Sequence, residues 1–158
     1  MKKNSGAWKL ICWISGIIIY IFVFLIVAKI YVFSNPDIEL RMPSKTVCNI
    51  TDKQILINVK FKNKTSYNLN SEAKYYLSYH LLDSNGNIIK FDNVRTNLPT
   101  VQPGRSKDIG MKVEVPRTPG EYKLEVDLVK EKQFWFKNRG NKTVIITLVV
   151  EGEKNVQH

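Results

Sequence analysis

Cysteine, histidine and known catalytic motifs are scarce in this chain of 158 amino acids. It contains two cysteines and two histidines, and one of the histidines is its last residue. The motifs HExxH and GxSxG are absent, and so is a glycine-rich phosphate loop. A nucleophile needs a base within reach, and a catalytic metal needs three or more ligands. We therefore expect a protein that is not an enzyme and that holds no metal or cofactor.

The residues that could have suggested catalysis have simpler interpretations. His80 lies among tyrosines, and we interpret it as a surface or hydrogen-bonded strand residue. Glu125 and Asp127 share one strand face, as general acid–base catalysis requires, but they alternate with apolar residues and belong to the expected polar side. Cys12 lies in an apolar segment and Cys48 far outside it, so we expect no internal disulfide.

Acidic residues are missing from the first 35 positions, where Lys2, Lys3, Lys9 and Lys29 are the charged side chains. The remainder of the chain therefore carries +6 of the net charge of +10. This charge is spread along the strands, without an arginine-rich block or a run of five like charges. The pattern excludes nucleic acid as a favoured partner and fits a solvated surface that attracts anionic lipid or polymer weakly.

An uncharged run, LICWISGIIIYIFVFLIVA, occupies residues 10–28 and is the longest apolar segment. As a helix it spans roughly 30 Å, the thickness of a bilayer's hydrocarbon core. A cleavable signal peptide is the alternative, but its apolar region is shorter, and no small-x-small cleavage site follows here. We predict an uncleaved anchor in a cell membrane.

The flanking charges predict the orientation of this anchor. Three lysines and the α-amine precede it, so the N-terminus should face the cytoplasm and the rest of the chain the outside. We divide the chain into a basic cytoplasmic tail (1–9), a transmembrane helix (10–33), a linker (34–43), a β domain (44–152) and a flexible tail (153–158). About 120 extracytoplasmic residues suffice for one domain.

Apolar and polar residues alternate in five segments after the anchor, which is the period of half-buried strands. The apolar positions run along residues 55–61, 75–81, 111–115, 122–128 and 144–150. Turn sequences separate the segments: Asn85-Gly86, Pro103-Gly104, Pro119-Gly120 and Arg139-Gly140. Short strands at this spacing predict an all-β, immunoglobulin-like two-sheet sandwich, with a small barrel as the alternative.

One stretch, from about Tyr75 to Val150, goes beyond a general strand pattern. It carries, in order, Tyr79-His80, Asp83, Gly86, Asp92, Arg95-Thr96, Leu98-Pro99, Pro103-Gly104, Val115-Pro116, Pro119-Gly120, Asp127-Leu128-Val129 and Phe134-Trp135-Phe136. In this order they resemble a bacterial β-sandwich accessory module that accompanies glycosyltransferases and methyltransferases of cell-surface polysaccharide systems. The resemblance implies a noncatalytic module that contacts glycans.

Four residues are the candidate ligand contacts: Trp135, Arg95, Tyr76 and Asp92. Sugars present C–H faces that lie on aromatic rings, and their hydroxyls pair with planar polar groups such as Arg and Asp. Each residue also has a structural interpretation. Trp135 can pack into the core or cap an end of the sandwich, and Arg95 can pair internally with Asp92 or Asp127.

Two functions of different classes remain open from the sequence. The first is a membrane-anchored module that binds cell-envelope glycans. The second is a protein-interaction module that anchors, assists or blocks a membrane complex, such as an envelope transporter or a phage DNA-entry apparatus. The Asn-x-Thr triplets at Asn49, Asn63 and Asn141 could accept glycans in a eukaryotic secretory route, but they also arise readily in an Asn-rich chain.

Overall fold

The computed structural model describes residues 5–34 and 37–153, which form two units. The first unit is one α-helix, α1, Ser5–Ser34. Within it Ile11–Ala28 is long and apolar enough to cross a membrane, and none of its side chains is buried against protein. The helix begins at Ser5, inside the predicted tail 1–9, and residues 5–9 contain no proline that would interrupt it. Whether this helix is an anchor or a signal segment stays a prediction.

The regular secondary structure of the second unit is almost entirely β-strand, which confirms the all-β prediction. Its elements in chain order are β1 Ile38–Arg41, β2 Lys45–Asn49, β3 Gln54–Asn63, β4 Tyr75–Leu82, β5 Ile88–Lys90, β6 Thr96–Asn97, β7 Ser106–Glu114, β8 Gly120–Lys130, β9 Phe134–Trp135, a 3₁₀ turn Phe136–Arg139 and β10 Val144–Glu151.

These strands form the two sheets of an immunoglobulin-like sandwich. The smaller sheet has the order β1-β3-β7. The larger has the order β2-β10-β8-β4-β5, with β6 paired to β4 and β9 to β8. All pairs are antiparallel except β2 with β10. Hydrogen bonds join the sheets: the Glu114 N–H donates to the Tyr79 hydroxyl at 2.9 Å, and the Lys112 N–H to Thr96 Oγ1 at 2.8 Å. Lys90 Nζ also donates to Glu114 Oε2 at 2.9 Å.

One apolar core lies between the sheets, and the predicted alternation supplies it. On β3, for example, Ile57, Val59 and Phe61 are buried, whereas Asn58 and Lys60 are exposed. Every residue of the core cluster lies between Ile38 and Val150, so the helix contributes none of it. Each fully buried aliphatic side chain contributes about 1.5–3 kcal/mol to stability. The β domain therefore holds the interactions it needs to fold without the helix.

The predicted linker 34–43 requires a correction, because it contains strand β1. Ile38 and Leu40 point into the core and are 2% and 7% exposed. The Ile38 N–H donates to Asn141 Oδ1 at 3.0 Å, which holds the strand's start in place. Ile38, Leu40 and Met42 alternate with charged residues between two prolines, so the sequence did carry the period of a short strand here. Of the predicted tail 153–158, residues 154–158 lie outside the described residues.

Candidate functional site

The outer face of the larger sheet carries a second layer of side chains. Ser78 and His80 on β4 and Asp127 on β8 alternate with core residues, yet all three are completely buried. A surface position for His80 and a solvated polar face for Asp127 are therefore wrong. Residues 91–95 and the segment from β9 into the 3₁₀ turn contact these side chains from outside the sheet.

His80 forms the floor of this outer layer. Its ring centroid lies 4.2 Å from that of Phe91 and 4.2 Å from that of Trp135. Nδ1 bonds the carbonyl of Phe91, whereas the buried Nε2 has no partner among the described residues. Burial lowers the pKa of His80, so that the ring is neutral near pH 7.

Trp135 is packed rather than presented to solvent, being only 8% exposed. Besides His80, it contacts the Phe91 ring, 5.9 Å away between centroids, and the guanidinium of Arg95, whose Cζ lies 5.2 Å from the ring centroid. Trp135 is thus packed, but on the outer face of the larger sheet rather than in the core cluster between the sheets. Too little of the indole face is exposed for it to be the main stacking surface of a site.

Arg95 is held by two carboxylates at the rim of the same layer. Its Nη1 lies 2.6 Å from Asp92 Oδ1, and its Nε donates to Glu131 Oε2 at 2.8 Å. Nη1 also donates to Ser78 Oγ at 3.0 Å. The expected internal pair with Asp92 is present, whereas the one with Asp127 is not. Glu131 was missed because it lies in the turn after β8, where strand alternation gives no information.

Asp127 fixes the segment that carries Trp135. Oδ1 accepts the N–H of Leu128 and Oδ2 the N–H of Lys137, each at 2.8 Å. Burial raises the pKa of Asp127 to about 7, although the two amide bonds favour the carboxylate. Glu125 is also engaged, accepting from Lys137 Nζ at 2.9 Å and from Thr143 Oγ1 at 3.0 Å. Both carboxylates therefore have structural partners.

Three of the four predicted contacts line one groove of about 440 Å³, which we call the aromatic groove. Its walls are Phe91, Asp92, Arg95, Trp135 and the residues 129–134 and 138. Tyr76 is not among them. Tyr76 lies on the same sheet face, in one cross-strand row with Val129 and Trp135, but Val129 separates it from Trp135. The Tyr76 hydroxyl donates to the Ser71 carbonyl at 3.3 Å.

Phe91 is the aromatic that the groove presents to solvent, at 52% exposed. Sequence reasoning missed it because it follows β5 in a segment without alternation. The apolar run Ile88-Ile89-Lys90-Phe91, directly after the Asn85-Gly86 turn, was the available signal. Across residues 5–34 and 37–153, no three His, Cys, Asp or Glu side chains gather as metal ligands.

Two of the three Asn-x-Thr triplets have buried asparagines. Asn63 is 0% and Asn141 7% exposed. Asn63 Nδ2 donates to the carbonyls of Tyr67 and Val101 at 2.7 and 2.8 Å, and its Oδ1 accepts the hydroxyl of Thr65 at 2.7 Å. Asn49 makes the same local bond with Thr51, at 3.0 Å. The triplets at Asn49 and Asn63 therefore act as turn-forming hydrogen-bond motifs, whereas Asn141 Oδ1 accepts the N–H of Ile38.

No protein-family model and no curated protein matches the chain. Among solved structures, the alkylpurine DNA glycosylase AlkC of Pseudomonas fluorescens is similar at TM-score 0.47 and 10% identity, over 73% of this chain and 30% of that one. A β-glucosidase of Listeria innocua gives TM-score 0.48 and 14% identity, over 73% and 16%. The CARDB domain of a Pyrococcus furiosus protein gives 0.43 and 17%, over 73% and 92%. At these distances none of them bears on activity.

Proposed function

We propose that this protein is a single-pass membrane-anchored binding module, and that its extracytoplasmic β-sandwich contacts cell-envelope glycans through the aromatic groove. The observation that carries the proposal is the position of Phe91. Its half-exposed ring stands beside the carboxylates and the guanidinium of Asp92, Arg95 and Glu131. The resemblance to modules of polysaccharide systems supports the same conclusion.

The chemistry of the groove suits a sugar ring. A C–H face of the sugar can lie on Phe91, while the hydroxyls can pair with the planar groups of Asp92, Gln133 and Asn138, which line the same groove. The ion pairs of Arg95 fix Asp92 and Glu131 before a ligand arrives, which lowers the entropy lost on binding. The site thus combines one apolar surface with a few oriented polar groups.

The test is binding of the soluble fragment 36–158 to purified envelope polysaccharides, followed by calorimetry. Phe91→Ala should weaken binding by about 0.5–1.5 kcal/mol, roughly two- to tenfold, since one stacked ring is lost. Ile89→Ala is the matched control, because Ile89 is 55% exposed and lies outside the groove. Unfolding curves show whether each variant keeps its fold. Equal binding by both variants, or no binding by the parent fragment, would contradict the proposal.

A protein-interaction module is the second candidate, and the edge strand β5 favours it. β5 ends the order of the larger sheet, and its residues Ile88 and Ile89 are 51% and 55% exposed. An exposed apolar edge can accept a strand from another protein. A photocrosslinker at Ile88 in the membrane-bound chain should then capture one dominant protein, and Ile88→Lys should abolish a complex formed with it. Capture of lipid alone would reject this candidate.

A further inference from the structure

The outward face of the smaller sheet concentrates positive charge. Arg41 on β1 lies directly opposite Lys60 on β3, and Lys62 lies opposite Glu39. With Ser106 these four side chains line a depression of about 220 Å³. We call Arg41, Lys60, Lys62 and the neighbouring Lys64, which pairs with Glu39, the basic face.

The acids of this face do not neutralise it. Glu39 is shared between Arg41 and Lys64, with N–O distances of 2.6 and 2.8 Å, and these cations lower its pKa to about 2. Lys60 and Lys62 make no ion pair with any described residue. Cations placed opposite each other on neighbouring strands are destabilising. On its other side Lys60 lies opposite Asp108 of β7. The four cations of the basic face thus outnumber its two carboxylates, Glu39 and Asp108, and the positive excess can attract an anion from outside the domain.

The length of the chain brings an anionic surface within reach. The helix ends at Ser34 and β1 begins at Ile38. Four residues extend at most about 14 Å, so a helix held in a bilayer tethers the start of β1 near the headgroups. Electrostatic attraction acts over about 10 Å at 0.1 M salt.

We propose that the basic face binds the anionic headgroups of the membrane in which the chain is anchored. This inference rests on the anchor of the proposed function, but it is independent of glycan binding. The face supplies several ammonium groups and one guanidinium, which suit phosphate oxygens.

Amine labelling of the full chain in lipid nanodiscs tests the proposal. The discs contain phosphatidylcholine alone or mixed with phosphatidylglycerol, and mass spectrometry follows acetylation of each lysine. Lys60 and Lys62 should react about fivefold more slowly in the anionic discs, and 1 M salt should remove the difference. Lys45 and Lys123 are the internal controls, because both lie in one row on the outer face of the larger sheet. Their rates should be the same in the two discs.

Matched variants identify the face. In the double variant Lys60→Gln, Lys62→Gln, Lys64 should be acetylated equally fast in both kinds of disc. In the control double variant Lys45→Gln, Lys123→Gln, Lys64 should still be acetylated more slowly in the anionic discs. Equal labelling of Lys60 in both discs would overturn the proposal, as would equal slowing at the control lysines. Protection by soluble polyphosphate but not by anionic discs would overturn the choice of lipid. A chain that stays out of the discs would refute the anchor, and this proposal with it.

Discussion

Replacing Asp127 by asparagine should change how the stability of the β domain depends on pH. The carboxyl is completely buried, and burial raises its pKa to about 7, against an unfolded value near 3.8. The folded state therefore binds this proton more tightly than the unfolded state does. Stability from this group is fully present below about pH 4 and is lost as the pH rises towards 7.

The size of the effect follows from the difference between the two pKa values. One pKa unit corresponds to 1.36 kcal/mol, so the wild-type domain should lose about 4 kcal/mol of unfolding free energy from this group between pH 4 and pH 8. The asparagine of the Asp127→Asn variant does not titrate. Its NH₂ group cannot accept the Lys137 N–H that Asp127 Oδ2 accepts, which costs roughly 1–3 kcal/mol at low pH.

Urea unfolding of fragment 36–158 at several pH values between 4 and 8 measures this contribution. We subtract the unfolding free energy of Asp127→Asn from that of the wild type, and the contributions of all other titrating groups cancel in this difference. This difference should fall steadily with pH. Asp108→Asn serves as the control, because Asp108 is an exposed carboxylate on the smaller sheet.

A difference that is independent of pH would contradict a raised pKa of Asp127 in the folded state. A difference that rises with pH would go further. It would show that the amides of Leu128 and Lys137, which donate to Asp127 at 2.8 Å, stabilise the carboxylate more than burial destabilises it.

Three further variants test buried side chains of the β domain by urea unfolding. Burial lowers the pKa of His80, so the stability that the neutral ring contributes should be lost as the pH falls below 6.5. The unfolding free energy of the wild type minus that of His80→Leu should therefore fall from pH 7 to pH 5, and a constant value would contradict this. Trp135→Ala should remove about 3–5 kcal/mol because the indole is buried, and a loss below about 1 kcal/mol would mean that the ring is exposed. Asn63→Ala should remove about 2–3 kcal/mol through its lost hydrogen bonds, whereas the exposed Asn58→Ala should change little.

The sandwich core could be predicted because period-two alternation reports burial directly. Ile57, Val59 and Phe61 face the core as the pattern indicates. Alternation does not predict the burial of the polar positions where a sheet is covered on both faces. Ser78 and His80 occupy the nominally polar positions of β4, yet they are buried by segments distant in sequence. Strand β1 was missed although Ile38, Leu40 and Met42 alternate with charged residues.

The candidate site was predictable in composition but not in detail. The motif residues Asp92, Arg95 and Trp135 do line one groove. Their spacing in the sequence does not predict which side chains are exposed to solvent, however. The exposed aromatic side chain is Phe91 rather than Trp135. Glu131 pairs with Arg95 across 36 positions, a contact that only the folding of β8 against residues 92–95 creates.

In the function that we propose, α1 stays in the membrane while the β domain lies outside the cytoplasm. Protease added to intact cells, with their outer envelope opened where one exists, tests it most directly. We expect the β domain to be cut before lysis, while a membrane-bound fragment that contains residues 11–28 remains. A full-length chain that resists protease until the cells are lysed, or a mature protein free in the medium without those residues, would contradict the account.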